Sequence, residues 1–177
     1  MNPDNPSSLK AWYVIYTRSR SEKKVHDDLI LKDIECFLPL QKKLRKWKDR
    51  KKWVETPLIS GYCFVHISNK EYDTVLQTNN VVCYITFEGK AAIIPTKQIE
   101  YLKQMLHQYD FDVTVSKENF NPGEKVEIIA GPLIGLRGEL VELKGKNRFK
   151  LRIDHINSSF LIEVTAANLS PIPENIQ

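Results

Sequence analysis

Residues 42–52 hold eight lysines or arginines against one aspartate, Asp49, with Trp47 set among them. Cations in such a run can neutralise successive phosphates and release their counterions, an attraction that weakens with salt and reads no base sequence. Trp47 adds a ring on which an exposed base could stack. The same stretch also fits a solvated hairpin whose tryptophans are pinned to a sheet. The candidate nucleic-acid contacts here are Lys46, Trp47, Lys48, Arg50 and Lys51. A second basic group, Arg18, Arg20, Lys23 and Lys24, falls at the first strand-to-helix corner. Cations at a helix start oppose the macrodipole, which favours a functional reason for them.

Residues 57–65 read as a turn and a strand. Alternation puts Tyr62 and Phe64 on one face and Cys63 and Val65 on the other. Tyr16, Tyr62, Phe64, Phe87 and Ile99 fit a core, and they equally fit an apolar docking face. A layered sandwich cannot bury both faces of every strand, so some aromatic surface should remain for a partner.

Other chemistry is not visible. His26, His66, His107 and His155 lie on four different predicted elements, with no ligand or nucleophile at motif spacing. Gly131, Gly135 and Gly138 are followed by neither Gly-Lys-Ser/Thr nor a helix, so they do not make a phosphate loop. Cys36, Cys63 and Cys83 suit neither a disulfide framework nor a zinc site and are expected as buried thiols in a reducing cytoplasm. The expectation is a protein with no catalytic residues, no metal, no cofactor and no membrane span, acting as a monomer.

The elements that must position these residues follow from periodicity. A buried strand is expected at 12–17, a helix at about 20–32 opened by a Ser19/Glu22 capping box, and a strand at 36–40. A hairpin with its tip near Asp49 and Arg50 should follow, then the Tyr62 strand, a short helix at 70–77, a strand at 81–87 turning at Glu88-Gly89-Lys90, and a helix from Pro95. Residues 1–10 read as a disordered lead and 11–109 as an α+β sandwich domain with an antiparallel sheet. Residues 110–121 read as a patternless linker, 122–173 as a small five-stranded barrel and 174–177 as a tail. Along the barrel, Lys150, Arg152 and Asp154 alternate with Phe149, Leu151 and Ile153. Charge is uneven: of a chain total of +4, residues 42–52 contribute +7, leaving −3 elsewhere, while residues 122–177 balance seven basic against seven acidic side chains. A polyanion should therefore meet the first domain.

These residues resemble a known family. Trp12-Tyr13-Val14-Ile15-Tyr16-Thr17, the helix after it, residues 57–65 and residues 81–87 resemble the N-terminal domain of NusG-type transcription factors. Residues 125–143 look like a KOW motif, the signature of that family's SH3-like C-terminal barrel. The Arg-Lys-Trp-Lys-Asp-Arg-Lys-Lys-Trp wording is similar to specialised RfaH or UpxY-like paralogues. The resemblance implies an antitermination factor that docks on the clamp helices of the largest RNA polymerase subunits through Trp12, Tyr16, Tyr62, Phe64, Phe87 and Ile99. It implies contacts to the non-template DNA strand at Arg18, Lys23 and Lys24, to which charge adds Arg20 and the hairpin. The barrel would recruit a small-subunit ribosomal protein or Rho and keep its strands rather than refold. A ribosome-associated KOW RNA-binding protein, using Arg137, Lys146 and Arg148, is the alternative. The family often has Phe-Pro-Gly-Tyr where this chain has Ile59-Ser60-Gly61-Tyr62, which would loosen the turn before the docking strand.

Overall fold

Seven aromatic or β-branched-rich residues, Ala11–Thr17, form β1, the strand on which the first part of the molecule is built. A computed structural model describes residues 9–46, 50–107, 114–116, 123–130, 134–143, 146–152, 159–163 and 166–172. The chain divides into two compact units, Met1–Thr96 and Lys97–Gln177.

In the first unit β1 is followed by α1 (Glu22–Ile30), β2 (Glu35–Phe37), β3 (Leu40–Lys46), β4 (Lys51–Pro57) and β5 (Tyr62–Ile67). Then come α2 (Tyr72–Leu76), β6 (Val81–Tyr84), β7 (Thr86–Phe87), β8 (Lys90–Ala91) and β9 (Ile93–Ile94). The main sheet runs β2-β5-β1-β6, with β9 also paired to β1, and its pairs are antiparallel. Register sets Ile15 beside Cys63 and Tyr13 beside Val65 on one face. That face closes over Val25 and Leu29 of α1 and Val75 of α2, with Ile34, Cys36, Ile67 and Tyr84 in the same cluster. Each such apolar side chain contributes about 1.5–3 kcal/mol on full burial. Tyr84 lies at the cluster's margin, its ring stacked 4.1 Å from that of Tyr72 and its hydroxyl donating to the Tyr72 carbonyl at 3.1 Å.

Several local expectations shift. Ser19 does not cap α1: the helix starts at Glu22 behind Ser21, which makes no side-chain cap bond, and the Glu22 carboxylate is used elsewhere. The strand expected at 36–40 ends at Phe37, and Leu40 already belongs to the hairpin. The strand expected through Phe87 ends at Tyr84. Phe87 sits on a separate β7/β8 ribbon that turns through Glu88 (φ 51°) and Gly89 (φ 78°), both left-handed as a tight hairpin requires.

The second unit begins with α3 (Thr96–His107), whose Ile99, Leu102 and Met105 are buried at helical spacing. Strands β10 (Thr114–Ser116), β11 (Glu124–Ile128), β12 (Arg137–Leu143), β13 (Lys146–Arg152), β14 (Ser159–Glu163) and β15 (Leu169–Pro171) form one sheet in the order β10-β14-β13-β12-β11-β15. Its pairs are antiparallel. The five expected strands are present. A sixth, β10, lies within residues 110–121, where no pattern was legible: three residues are too few to show a period. Lys150, expected on the outer side of the strand alternation, is buried together with its neighbour Leu151. Its ammonium pairs with Glu139, directly opposite on β12, which supplies the countercharge that burial demands. Among the described residues, no helix is long and apolar enough to cross a membrane.

Candidate docking and nucleic-acid interface

The second face of the main sheet carries Trp12, Val14 and Tyr16 from β1 against His66, Phe64 and Tyr62 from β5. Alternation puts all six on one side, yet they differ in depth. Val14 and Phe64 are fully buried and Trp12 is 3% exposed, with Trp12 stacked on His66 at 4.9 Å and Phe64 tilted against Phe37 at 5.9 Å. At the other end Tyr16 is 41% exposed and Tyr62 half-buried, their rings meeting edge-to-face at 5.5 Å. Cys83, opposite Tyr16 on β6, is exposed, as is Val82 beside it. The open aromatic surface is therefore one end of the sheet.

The turn before β5 is rigid there. Gly61 has φ +83°, a left-handed conformation that glycine adopts without strain. Its N–H donates to the buried Glu22 carboxylate at 2.8 Å, and its carbonyl accepts from the Thr17 N–H at 2.8 Å. A Cβ at Gly61 would stand 2.7 Å from the Tyr16 ring. The turn expected to be loose, for want of the Phe-Pro that often precedes the glycine, is held by a carboxylate from α1 instead.

The basic corner adjoins this open end in sequence and in space, since Arg18 follows Tyr16 by two residues. Its N–H donates to the Asn80 carbonyl at 2.9 Å, and its carbonyl accepts from Ser21 at 3.1 Å. Arg18, Arg20, Lys23 and Lys24 are all exposed. Arg20 has φ 62°, an uncommon conformation for a residue with a Cβ. The hairpin forms as its charge pattern suggested, with β3 on β4 in register from Leu40↔Pro57 to Lys46↔Lys51. Lys46, Arg50 and Lys51 are exposed, whereas Trp47 and Lys48 lie outside the described residues.

Two thiols do not bear on the site. Cys36 and Cys63 are buried; a hydrogen bond to Cys63 and then burial push the Cys36 thiol far above its ordinary range, so it stays protonated. Cys83, expected to be buried with them, is exposed because it faces the uncovered end of the sheet. Among the described residues no group of three or more His, Cys, Asp or Glu is arranged to hold a metal ion.

Comparison with known proteins supplies the family. The family model described as "Transcription termination factor nusG" matches residues 10–103. The chain belongs to the NusG family. It is 24% identical over 166 residues to the transcription termination/antitermination protein NusG of Streptococcus pyogenes, covering 88% of this chain and 92% of that one. It is 22% identical over 190 residues to the protein of the same name from Rickettsia typhi, covering 98% and 94%. Among solved structures, a NusG of Thermotoga maritima has the same fold, with a TM-score of 0.51 and 19% identity, covering 93% of this chain and 98% of that one.

Of the NusG-type docking residues expected from sequence, the fold leaves Tyr16, Tyr62 and Phe87 accessible. Trp12, Phe64 and Ile99 are inside, at 3%, 0% and 1% exposure, so in this conformation they offer a partner no surface. Position along the strands separates them: Phe64 sits mid-strand opposite Val14, and Trp12 lies near the end of β1 away from Tyr16, paired with His66 and Ile94 and stacked on the His66 ring. Phe87 is on a ribbon separate from the main sheet. The supporting role of Glu22 was missed, because a glutamate three residues after a serine reads locally as a cap and nothing in sequence ties it to Gly61.

Proposed function

We propose that this chain is a transcription elongation and antitermination factor whose first unit docks on the clamp helices of the largest RNA polymerase subunits. The observation that carries the reading is the open aromatic end of the sheet, Tyr16 on Tyr62, lying beside a cationic corner. Exposed aromatic rings on a rigid backbone are the kind of anchor that dominates protein interfaces. Tyr16, Tyr62 and Phe87 make the contact; Trp12 and Phe64, buried further along the same face, hold the strands that carry the tyrosines. Arg18, Arg20, Lys23 and Lys24 reach the non-template DNA strand, with Lys46, Trp47, Lys48, Arg50 and Lys51 of the hairpin adding phosphate contacts. The bound factor suppresses pausing or termination on particular long operons, in the manner of an RfaH or UpxY-like paralogue, and needs no catalytic step.

Residues 122–173 of the second unit act as the KOW barrel and engage a small-subunit ribosomal protein or Rho. A protein partner suits it better than bulk RNA phosphate. The Arg137 guanidinium is engaged by Glu127 at 2.7 Å, and Lys150 is buried against Glu139, so two of its cations are already neutralised. Exposed Ile129 and Ile134, near the turn between β11 and β12, give it an apolar contact instead. In vitro transcription with and without the chain, scored for pause lifetime and readthrough, tests the whole reading. An unchanged pause lifetime at saturating protein refutes it.

A further inference from the structure

The tryptophan of the hairpin that the structure describes, Trp53, is 64% exposed, whereas Trp12 in the sheet is 3% exposed. A ring of that size left in water keeps a large face that a stacked partner could cover. Register puts it opposite Leu44, on the same hairpin face as the Lys46–Lys51 pair one step toward the tip and the Lys42–Glu55 pair one step toward the base. Lys46 and Lys51 are directly opposite each other and exposed. Like charges so placed destabilise a strand pair. The β3/β4 ribbon has no strand partner outside itself among the described residues, and a two-stranded ribbon is marginal alone. The facing lysines weaken the free ribbon and the ring keeps an open face, and one kind of ligand serves both: a polyanion with an accessible base face.

We propose that Trp53 is a stacking platform for an unpaired base, with Lys46 and Lys51 holding the phosphates that flank it. The lysine pair lies one two-residue step from the ring along the ribbon, about 7 Å, within reach of the phosphate next to a stacked base. A duplex keeps its base faces covered by neighbouring pairs, so the ligand is a single strand, of DNA or of RNA. This places the stacking ring on Trp53, in the body of the hairpin, and rests on the nucleic-acid reading above.

The test uses the full chain and fluorescence anisotropy at fixed low salt. The probes are oligothymidine and oligouridine of about fifteen nucleotides, within the site sizes of single-strand binders, and a duplex of similar length. Trp53→Ala is expected to weaken binding to a single strand about tenfold while leaving duplex binding unchanged, and Trp53→Phe to restore most of it. The two oligonucleotides separate DNA from RNA preference. An unchanged urea midpoint for Trp53→Ala excludes unfolding as the cause. Equal losses on single strand and duplex, or no loss on either, overturn the proposal. So does a loss confined to clamp-helix binding, which would make Trp53 a protein contact. A chain that binds oligonucleotide through Trp53 but ignores the clamp helices keeps this proposal and sinks the polymerase reading.

Discussion

The Glu22 carboxylate accepts a 2.8 Å hydrogen bond from the Gly61 N–H, joining the start of α1 to the turn that launches β5. Glu22 is 5% exposed, so the bond is made away from water. It sits in the first turn of its helix, where a negative charge is also favoured by the macrodipole. Replacing it with alanine leaves a buried N–H without an acceptor. Glu22→Ala should lower unfolding free energy by about 1.5–3 kcal/mol, and Glu22→Gln, which keeps a carbonyl oxygen, by less. Urea denaturation of the three proteins measures both; equal stability of all three would show that the bond contributes nothing.

Gly61→Ala should be strained twice. A residue with a Cβ at φ +83° costs about 1–2 kcal/mol, and that Cβ would stand 2.7 Å from the Tyr16 ring. The exposed ring can swing outward, so the chain should still fold while the edge-to-face packing of Tyr16 on Tyr62 is broken. Clamp-helix binding should fall by more than the stability loss explains. Wild-type affinity in a folded Gly61→Ala protein would remove the tyrosine pair from the docking surface.

Phe64 and Tyr16 share a sheet face but should behave oppositely. Phe64→Ala empties a fully buried site and is expected to cost about 3–5 kcal/mol. Tyr16→Ala, at 41% exposure, should change stability by about 1 kcal/mol or less yet weaken polymerase binding about tenfold or more. Thermal melts beside titrations of clamp helices separate the two. A Tyr16→Ala protein that binds normally would refute the docking face.

Charge on the hairpin should appear in salt dependence. Replacing Lys46 and Lys51 with glutamine removes two exposed cations that face each other across the ribbon. The slope of log affinity against log salt for a single strand should fall by about 0.7 for each phosphate that is no longer neutralised. Relief of the like-charge pair should leave the hairpin no less stable. An unchanged slope means that these lysines do not touch phosphate.

Acid should weaken the entrance to α2. Burial tends to raise the Glu71 carboxyl, but the Ser68 N–H and hydroxyl, each at 2.8 Å, and the Lys10 ammonium at 3.3 Å outweigh it and hold the group below its ordinary 4.5. A carboxyl with a depressed folded value stabilises above its unfolded value and loses that stabilisation as pH falls through the folded one. Stability should therefore decline below about pH 4.5 more steeply in wild type than in Glu71→Gln, followed by urea midpoints across that range. Parallel curves would show that the Ser68 contacts carry no linkage.

Much of the architecture was legible in short-range pattern. The strand at 11–17, the basic hairpin, the left-handed turn at Glu88-Gly89 and the five strands of the second unit all announce themselves through alternation, charge runs or turn residues, which act over a few neighbours. Features that depend on partners far along the chain did not. Ser19 and Glu22 have cap spacing, but the carboxylate found a distant amide. Lys150 reads as a solvated strand residue until Glu139 is placed opposite it, and three residues of β10 carry no period at all.

The chain alone determined which residues of a strand share a face, where the positive charge gathers, and membership of the NusG family, because all of these are written in local order and composition. Only tertiary structure decided which rings of one sheet face are covered. Trp12, Phe64, Tyr16 and Tyr62 are equivalent by period, and alternation carries no information about position along the strand. The middle of that face and its Trp12 end are covered and its Tyr16 end is not, so Phe64 and Trp12 became core and Tyr16 became surface.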